Sequence, residues 1–96
     1  GSAILMSLIS ANHDEDSFEC PMKFDVERKN ARQHLAFGNG IHFCMGAPLA
    51  RMEMRILLEE LTQRYPNMRL DEEVKIQWPL NMGFRGPVKL KVDLGE

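Results

Sequence analysis

The feature that most constrains this chain is a ten-residue run, Phe37-Gly38-Asn39-Gly40-Ile41-His42-Phe43-Cys44-Met45-Gly46, that leads directly into a helix-forming stretch. Gly38, Gly40 and Gly46 permit backbone angles and close approaches that other residues resist, so the run reads as a tightly folded loop. Cys44 falls just before a helix amino terminus, where unpaired N–H groups and the helix dipole favour an anion. A thiolate, rather than a thiol, is what a metal needs. His42 lies two residues from Cys44, and in an extended loop the two share a side. A zinc site would want four such ligands, yet His13, His34 and Cys20 stand at no zinc-binding spacing. One soft ligand with a cation beside it points instead to a metal whose other ligands are not protein. Taken singly, Cys44 reads as a small buried hydrophobe and His42 as a surface histidine. Only the whole string changes that balance.

The stretch after the loop predicts a helix from Ala47 to about Tyr65. Ala50, Met54, Leu57, Leu58, Leu61 and Tyr65 line one face at helical spacing, widened by Leu49, Met52 and Ile56. Pro48 suits the first turn, and Pro66-Asn67 ends the helix. This face reads as core, with Met45, Met52 and Met54 as gap-fillers rather than thioether ligands. Before the loop, Ala3 to Ser10 is a short strand or a helix end, which periodicity cannot separate over so few residues. Ala11 to Arg32 is polar and irregular, and loops of that length are functional or disordered. Towards the end, Val74, Ile76 and Trp78 alternate with polar residues, as do Val88, Leu90, Val92 and Leu94, which predicts two strands. Gly83 and Arg85-Gly86-Pro87 supply the turn between them.

With 96 residues there is room for one small domain, and such a domain buries only roughly 60–70% of its unfolded surface. A net charge of −2 gives no general pull towards nucleic acid or anionic membrane. The apolar run Ala3 to Ile9 is too short to span a bilayer. Two cysteines are few for a secreted scaffold, and seven methionines would be exposed to oxidation outside the cell, so a cytoplasmic setting with reduced thiols is expected. Cys20 reads as a loop thiol without a role. Gly1-Ser2 resembles the scar of a removed tag and is set apart from residues 3–96.

The loop matches F-x-x-G-x-H-x-C-x-G at every fixed position, and that is the haem-ligand loop of the cytochrome P-450 family, which the chain resembles over nearly its whole length. Ala47-Pro48-Leu49-Ala50-Arg51-Met52-Glu53 is similar to the start of the family's proximal helix. Ser10 to Asp14 and Phe24-Asp25 resemble its meander, His34 to Gly38 the run entering the loop in soluble bacterial members, and Gly83 to Val88 its closing hairpin. His13 and Glu15 depart from the meander pattern. No glutamate has an arginine three residues later, and the distal helix with its acid and threonine has no counterpart.

That resemblance implies an α+β fragment (residues 3–96: meander, ligand loop, proximal helix and terminal strands) of a mainly α fold. It implies haem b (iron protoporphyrin IX) as cofactor, with Cys44 as the thiolate on the iron, donating electron density that favours O–O cleavage. Phe37 would pack beside the sulfur and limit water. His42 would donate to a haem propionate. Gly38, Gly40, Gly46 and Ala50 would lie against the cofactor, and backbone N–H groups after Cys44 would tune the sulfur. The parent would be a monooxygenase that inserts one oxygen atom from O2 into a small organic substrate. Its electron donor would be a ferredoxin or a flavodoxin, drawn to some of Lys23, Lys29, Arg32, Arg51 and Arg55. No catalytic residue other than the cofactor set is expected in this piece. Other outcomes are a haem-binding module without turnover, or a haem-free fragment that associates with itself through the Ala50–Tyr65 face.

Overall fold

The computed structural model describes residues 1–81 and 83–95, and these divide into two units, 1–49 and 50–96, each described by itself. In the first unit, a short helix α1 (Leu8–Asn12) settles the ambiguity of the Ala3 to Ser10 stretch as a helix end. Ser7 caps it, accepting from the Ser10 N–H at 3.3 Å. The irregular stretch that follows is folded by its own polar side chains. Asp14 and Asp25 accept from the amides of Asp16 and Glu27, each at 3.0 Å, closing Asx turns. The Arg28 guanidinium donates to three carbonyls, those of Glu19 at 2.6 Å, Cys20 at 3.1 Å and Lys23 at 3.0 Å. Asn30 Nδ2 donates to the Ser17 carbonyl at 2.9 Å. Phe18, in the same stretch, is buried.

Helix α2 (Ala47–Arg64) matches the predicted span, with Pro48 in its first turn. The helical bonding continues as Tyr65 N–H donates to the Leu61 carbonyl at 2.8 Å, before Pro66. Glu60 and Arg64 pair at 2.9 Å across one turn on an exposed face, where such pairs contribute little.

The second unit closes with β1 (Arg69–Leu70) and β2 (Val92–Asp93), paired antiparallel with Arg69 opposite Asp93 and Leu70 opposite Val92. Opposite charges face each other across this pair, and the Arg69 guanidinium reaches Asp93 Oδ2 at 2.9 Å. A helix with a small antiparallel arm is the α+β class expected, but the strand bounds differ. The Val74–Trp78 and Val88–Leu94 stretches meet at a single bridge, Gln77 with Lys89, and β2 lies within the second stretch while its partner β1 precedes the first. Alternation needs a covered face to become a ladder, and Trp78 and Val88 are exposed at 52% and 65%. Pro79 and Pro87 also remove donors from the ladder.

The core prediction for α2 requires correction. Among the described residues only Phe18 and Ala47 are buried hydrophobics. Arg51 to Glu60 are exposed all round, with Met54 at 57% and Leu57 and Leu58 at 53% each. Ala50, Leu61 and Tyr65 are half-buried. The methionines fill no gaps, and Met45 stands 96% exposed. A helix face wide enough for the interior of a large domain finds no layer to pack against among the described residues of its own unit.

Candidate functional site

The ligand loop is built by hydrogen bonds that each residue type makes possible. Gly38 and Gly40 sit at φ of 73° and 70°, in the left-handed region that side chains resist. The Gly38 N–H donates to the Leu35 carbonyl at 2.9 Å and turns the chain. Asn39 then caps a single 3₁₀ turn (Gly40–His42), its Oδ1 accepting from the Gly40 N–H at 2.8 Å. The Cys44 N–H donates back to the Phe37 carbonyl at 2.9 Å, which closes the loop seven residues after it opened. Finally the Ala47 N–H donates to the Cys44 carbonyl at 3.2 Å, so α2 grows directly from the cysteine. The helix terminus inferred from sequence is therefore where the reasoning placed it.

Within this frame the side chains divide into support and presented surface. Phe37 is half-buried between two rings, His34 with centroids 5.8 Å apart and Phe43 at 6.4 Å. Cys44 is exposed and free of any disulfide, and His42 is exposed too. Ile41, Phe43 and Met45 are exposed beside them. Gly46 serves a different purpose from the earlier glycines. Its φ is not left-handed, but a Cβ there would lie 3.7 Å from Cys44 Sγ, so the missing side chain leaves the sulfur accessible. Ala50 follows one turn into α2 and is half-buried.

This donor set suits a haem. No group of three His, Cys, Asp or Glu side chains capable of holding a metal occurs among the described residues. A metal on Cys44 must therefore bring its other ligands with it, as a porphyrin does. The exposed apolar residues around the sulfur suit a flat apolar macrocycle, and His42 is a donor of the kind a propionate accepts.

The basic residues considered for a redox partner are all exposed. Lys23 pairs with Asp25 at 3.5 Å and Arg55 with Glu59 at 3.9 Å. The Glu27 amide, and after it the Lys23 ammonium, hold the Asp25 carboxyl below its usual range. Cys20 is exposed in a left-handed turn at φ 46°, with its carbonyl held by Arg28. Nothing in the sequence marks the bracing roles of Arg28 and Asn12. The Asn12 side chain accepts from the Leu35 N–H at 2.7 Å, at the entrance to the ligand loop. A bond across 23 residues has no periodicity to announce it.

The cytochrome P-450 family model matches residues 1–92. Among curated proteins, the chain is 44% identical over 93 residues to a mycinamicin IV hydroxylase/epoxidase of Micromonospora griseorubida, covering 96% of this chain and 23% of that one. It is 47% identical over 90 residues to a cytochrome P-450 of Bacillus subtilis, covering 93% and 22%. Among solved structures, the P-450 haem domain of Tepidiphilus thermophilus superposes with a TM-score of 0.85 at 46% identity, covering 92% of this chain and 21% of that one. A Bacillus megaterium P-450 solved with corticosterone superposes at 0.84 with 39% identity, covering 93% and 24%. The chain thus spans roughly a quarter of the length of the relatives it matches. On the family match over 92 residues, the ligand-loop string and the shared backbone, this chain belongs to the cytochrome P-450 family.

Proposed function

We propose that residues 3–96 form the proximal wall of the haem pocket of a bacterial, cytoplasmic P-450 monooxygenase, with Cys44 Sγ as the axial thiolate on haem b. The observation that carries this reading is the sulfur itself. It is an exposed thiol on a loop whose peptide is tied to Phe37, directly before a helix amino terminus and with no rival ligand cluster among the described residues. The haem, when bound, supplies the activation of O2 for insertion of one oxygen atom into a small organic substrate. The chain's own residues do the rest of the proximal work. Phe37, flanked by His34 and Phe43, limits water beside the sulfur. Protonated or neutral, His42 has an N–H to donate to a propionate, and Gly46 keeps space open next to Sγ.

Electrons would arrive from a ferredoxin- or flavodoxin-type donor on the proximal side, where Lys29 and Arg32 remain exposed. By itself the chain would have no monooxygenase activity, because it carries one wall of the pocket and leaves α2 bare.

The test is the reduced carbon monoxide spectrum of the holoprotein in which this chain is continuous with the rest of a P-450 fold. A thiolate ligand places the Soret band at long wavelength. Cys44→His and Cys44→Ala should abolish that band, while Cys20→Ala should keep it. A band that survives the loss of Cys44 refutes the assignment.

A further inference from the structure

The Asn12 bond connects the small helix α1 to the loop that carries the sulfur. Asn12 is the last residue of α1, is half-buried, and accepts from the Leu35 N–H through Oδ1 at 2.7 Å. From Leu35 the bonding continues. The Leu35 carbonyl accepts from the Gly38 N–H at 2.9 Å, fixing the left-handed turn at Gly38. One residue earlier, the Phe37 carbonyl accepts from the Cys44 N–H at 2.9 Å. The peptide that bears the sulfur is thus held by a turn, and that turn is held at its start by one side-chain oxygen. Backbone bonds between neighbours fix the shape of the loop, whereas the Asn12 bond fixes its place relative to α1. A 2.7 Å bond to a partly buried amide is short and directional, and losing its acceptor leaves a donor to be satisfied by water at best.

We infer that Asn12 is a positioning residue for the Cys44 thiolate, setting through Leu35, Gly38 and Phe37 where the sulfur-bearing peptide is held. This rests on the haem-thiolate reading of Cys44 and goes beyond it, because Asn12 itself touches neither the sulfur nor the loop beyond Leu35. The acceptor is what matters. Aspartate offers an oxygen at the same reach, glutamine moves the oxygen out by one methylene, and leucine removes it at similar size.

The experiment uses the same full-length holoprotein and compares Asn12→Leu, Asn12→Gln and Asn12→Asp with Asn30→Ala. Asn30 braces the same connecting segment through Ser17, so its loss reports the effect of stability alone. Three quantities are read: the unfolding midpoint, the rate of haem loss, and the band position and reduction potential of the protein that stays loaded. Asn12→Leu and Asn12→Gln should speed haem loss by roughly tenfold and shift the potential and the thiolate band. Asn12→Asp should restore both, and Asn30→Ala should lower the midpoint with band and potential unchanged. If Asn12→Leu fails to fold, the Gln and Asp variants decide, and Gln behaving like Asp overturns the inference. An Asn12→Leu protein with wild-type band and potential overturns it as well. A wild type that lacks the thiolate band refutes the Cys44 reading and this inference together, whereas a normal wild-type band with unresponsive Asn12 variants refutes this inference alone.

Discussion

Two glycines of the ligand loop should respond to the same substitution in opposite ways. Gly40 has φ of 70°, and a Cβ built there meets nothing within 4 Å, so Gly40→Ala isolates the backbone cost with no steric component. An L-residue held in the left-handed region costs about 1–2 kcal/mol. Restricting the unfolded chain offsets about 0.4–1 kcal/mol of that. The net expectation is a loss of about 1 kcal/mol in stability, with the sulfur untouched. Gly46 carries no left-handed strain, so alanine there keeps the unfolded-state gain, but its methyl group arrives 3.7 Å from Cys44 Sγ. That is ordinary contact distance for two atoms, and it occupies space beside the sulfur proposed as the haem ligand. Gly46→Ala should therefore keep the unfolding midpoint and disturb the thiolate band, while Gly40→Ala lowers the midpoint and keeps the band in the loaded protein. Gly40→Asn should fall between wild type and Gly40→Ala, because asparagine tolerates the left-handed region. Guanidinium unfolding followed by circular dichroism, with the reduced carbon monoxide spectrum of each variant, reads both quantities. The reasoning is refuted if Gly40→Ala is neutral, or if Gly46→Ala is the more destabilising of the two and leaves the spectrum unchanged.

His42→Ala in the holoprotein should speed haem dissociation by roughly tenfold through loss of one charge-assisted hydrogen bond, with the thiolate band kept; unchanged dissociation counts against the propionate role. The β1–β2 arm should loosen at both pH extremes. The Lys91 ammonium, and after it the Glu73 amide, hold the Asp71 carboxyl below its usual range, and the Gly95 amide followed by Arg69 does the same for Asp93. Their contribution is present above the ordinary carboxylate range and disappears as pH falls through the lowered folded values. The Lys91 ammonium is raised by Asp71, so its contribution holds below the ordinary lysine range and fades as pH rises through the raised value. The chemical shift of the Asp71 amide, which donates to the Lys91 carbonyl at 3.1 Å, should follow both transitions, and a shift that is flat across them refutes the coupling. The isolated 96-residue chain should associate through the bare α2 face, and Leu57→Lys with Leu58→Lys should reduce that association in sedimentation; a stable haem-loaded monomer would refute it.

What the sequence determined by itself is what depends on local chemistry. The loop before α2 was legible because glycine at Gly38 and Gly40 and Pro48 in the first turn of α2 each dictate backbone shape within a few residues, whereas the Asn39 cap emerged only in the structure. The string Phe37 to Gly46 also carried the resemblance to the family, because it matches the family's motif at every fixed position. The tertiary structure alone decided the rest. Asn12 meets Leu35 and Arg69 meets Asp93 across more than twenty residues, where pairing depends on how intervening turns close rather than on any spacing. Of the two predicted strands, Val74–Trp78 keeps one bridge, Gln77 with Lys89, and Val88–Leu94 keeps β2, whose partner β1 lies before Val74; the alternating residues Trp78 and Val88 stay exposed. The apolar face of α2 was legible as a pattern, but Leu57 and Leu58 stand exposed on it. Periodicity reports which side of a helix is apolar, but burial depends on whether a second surface is there to exclude water from it, and within the described residues of the second unit Arg51 to Glu60 have none.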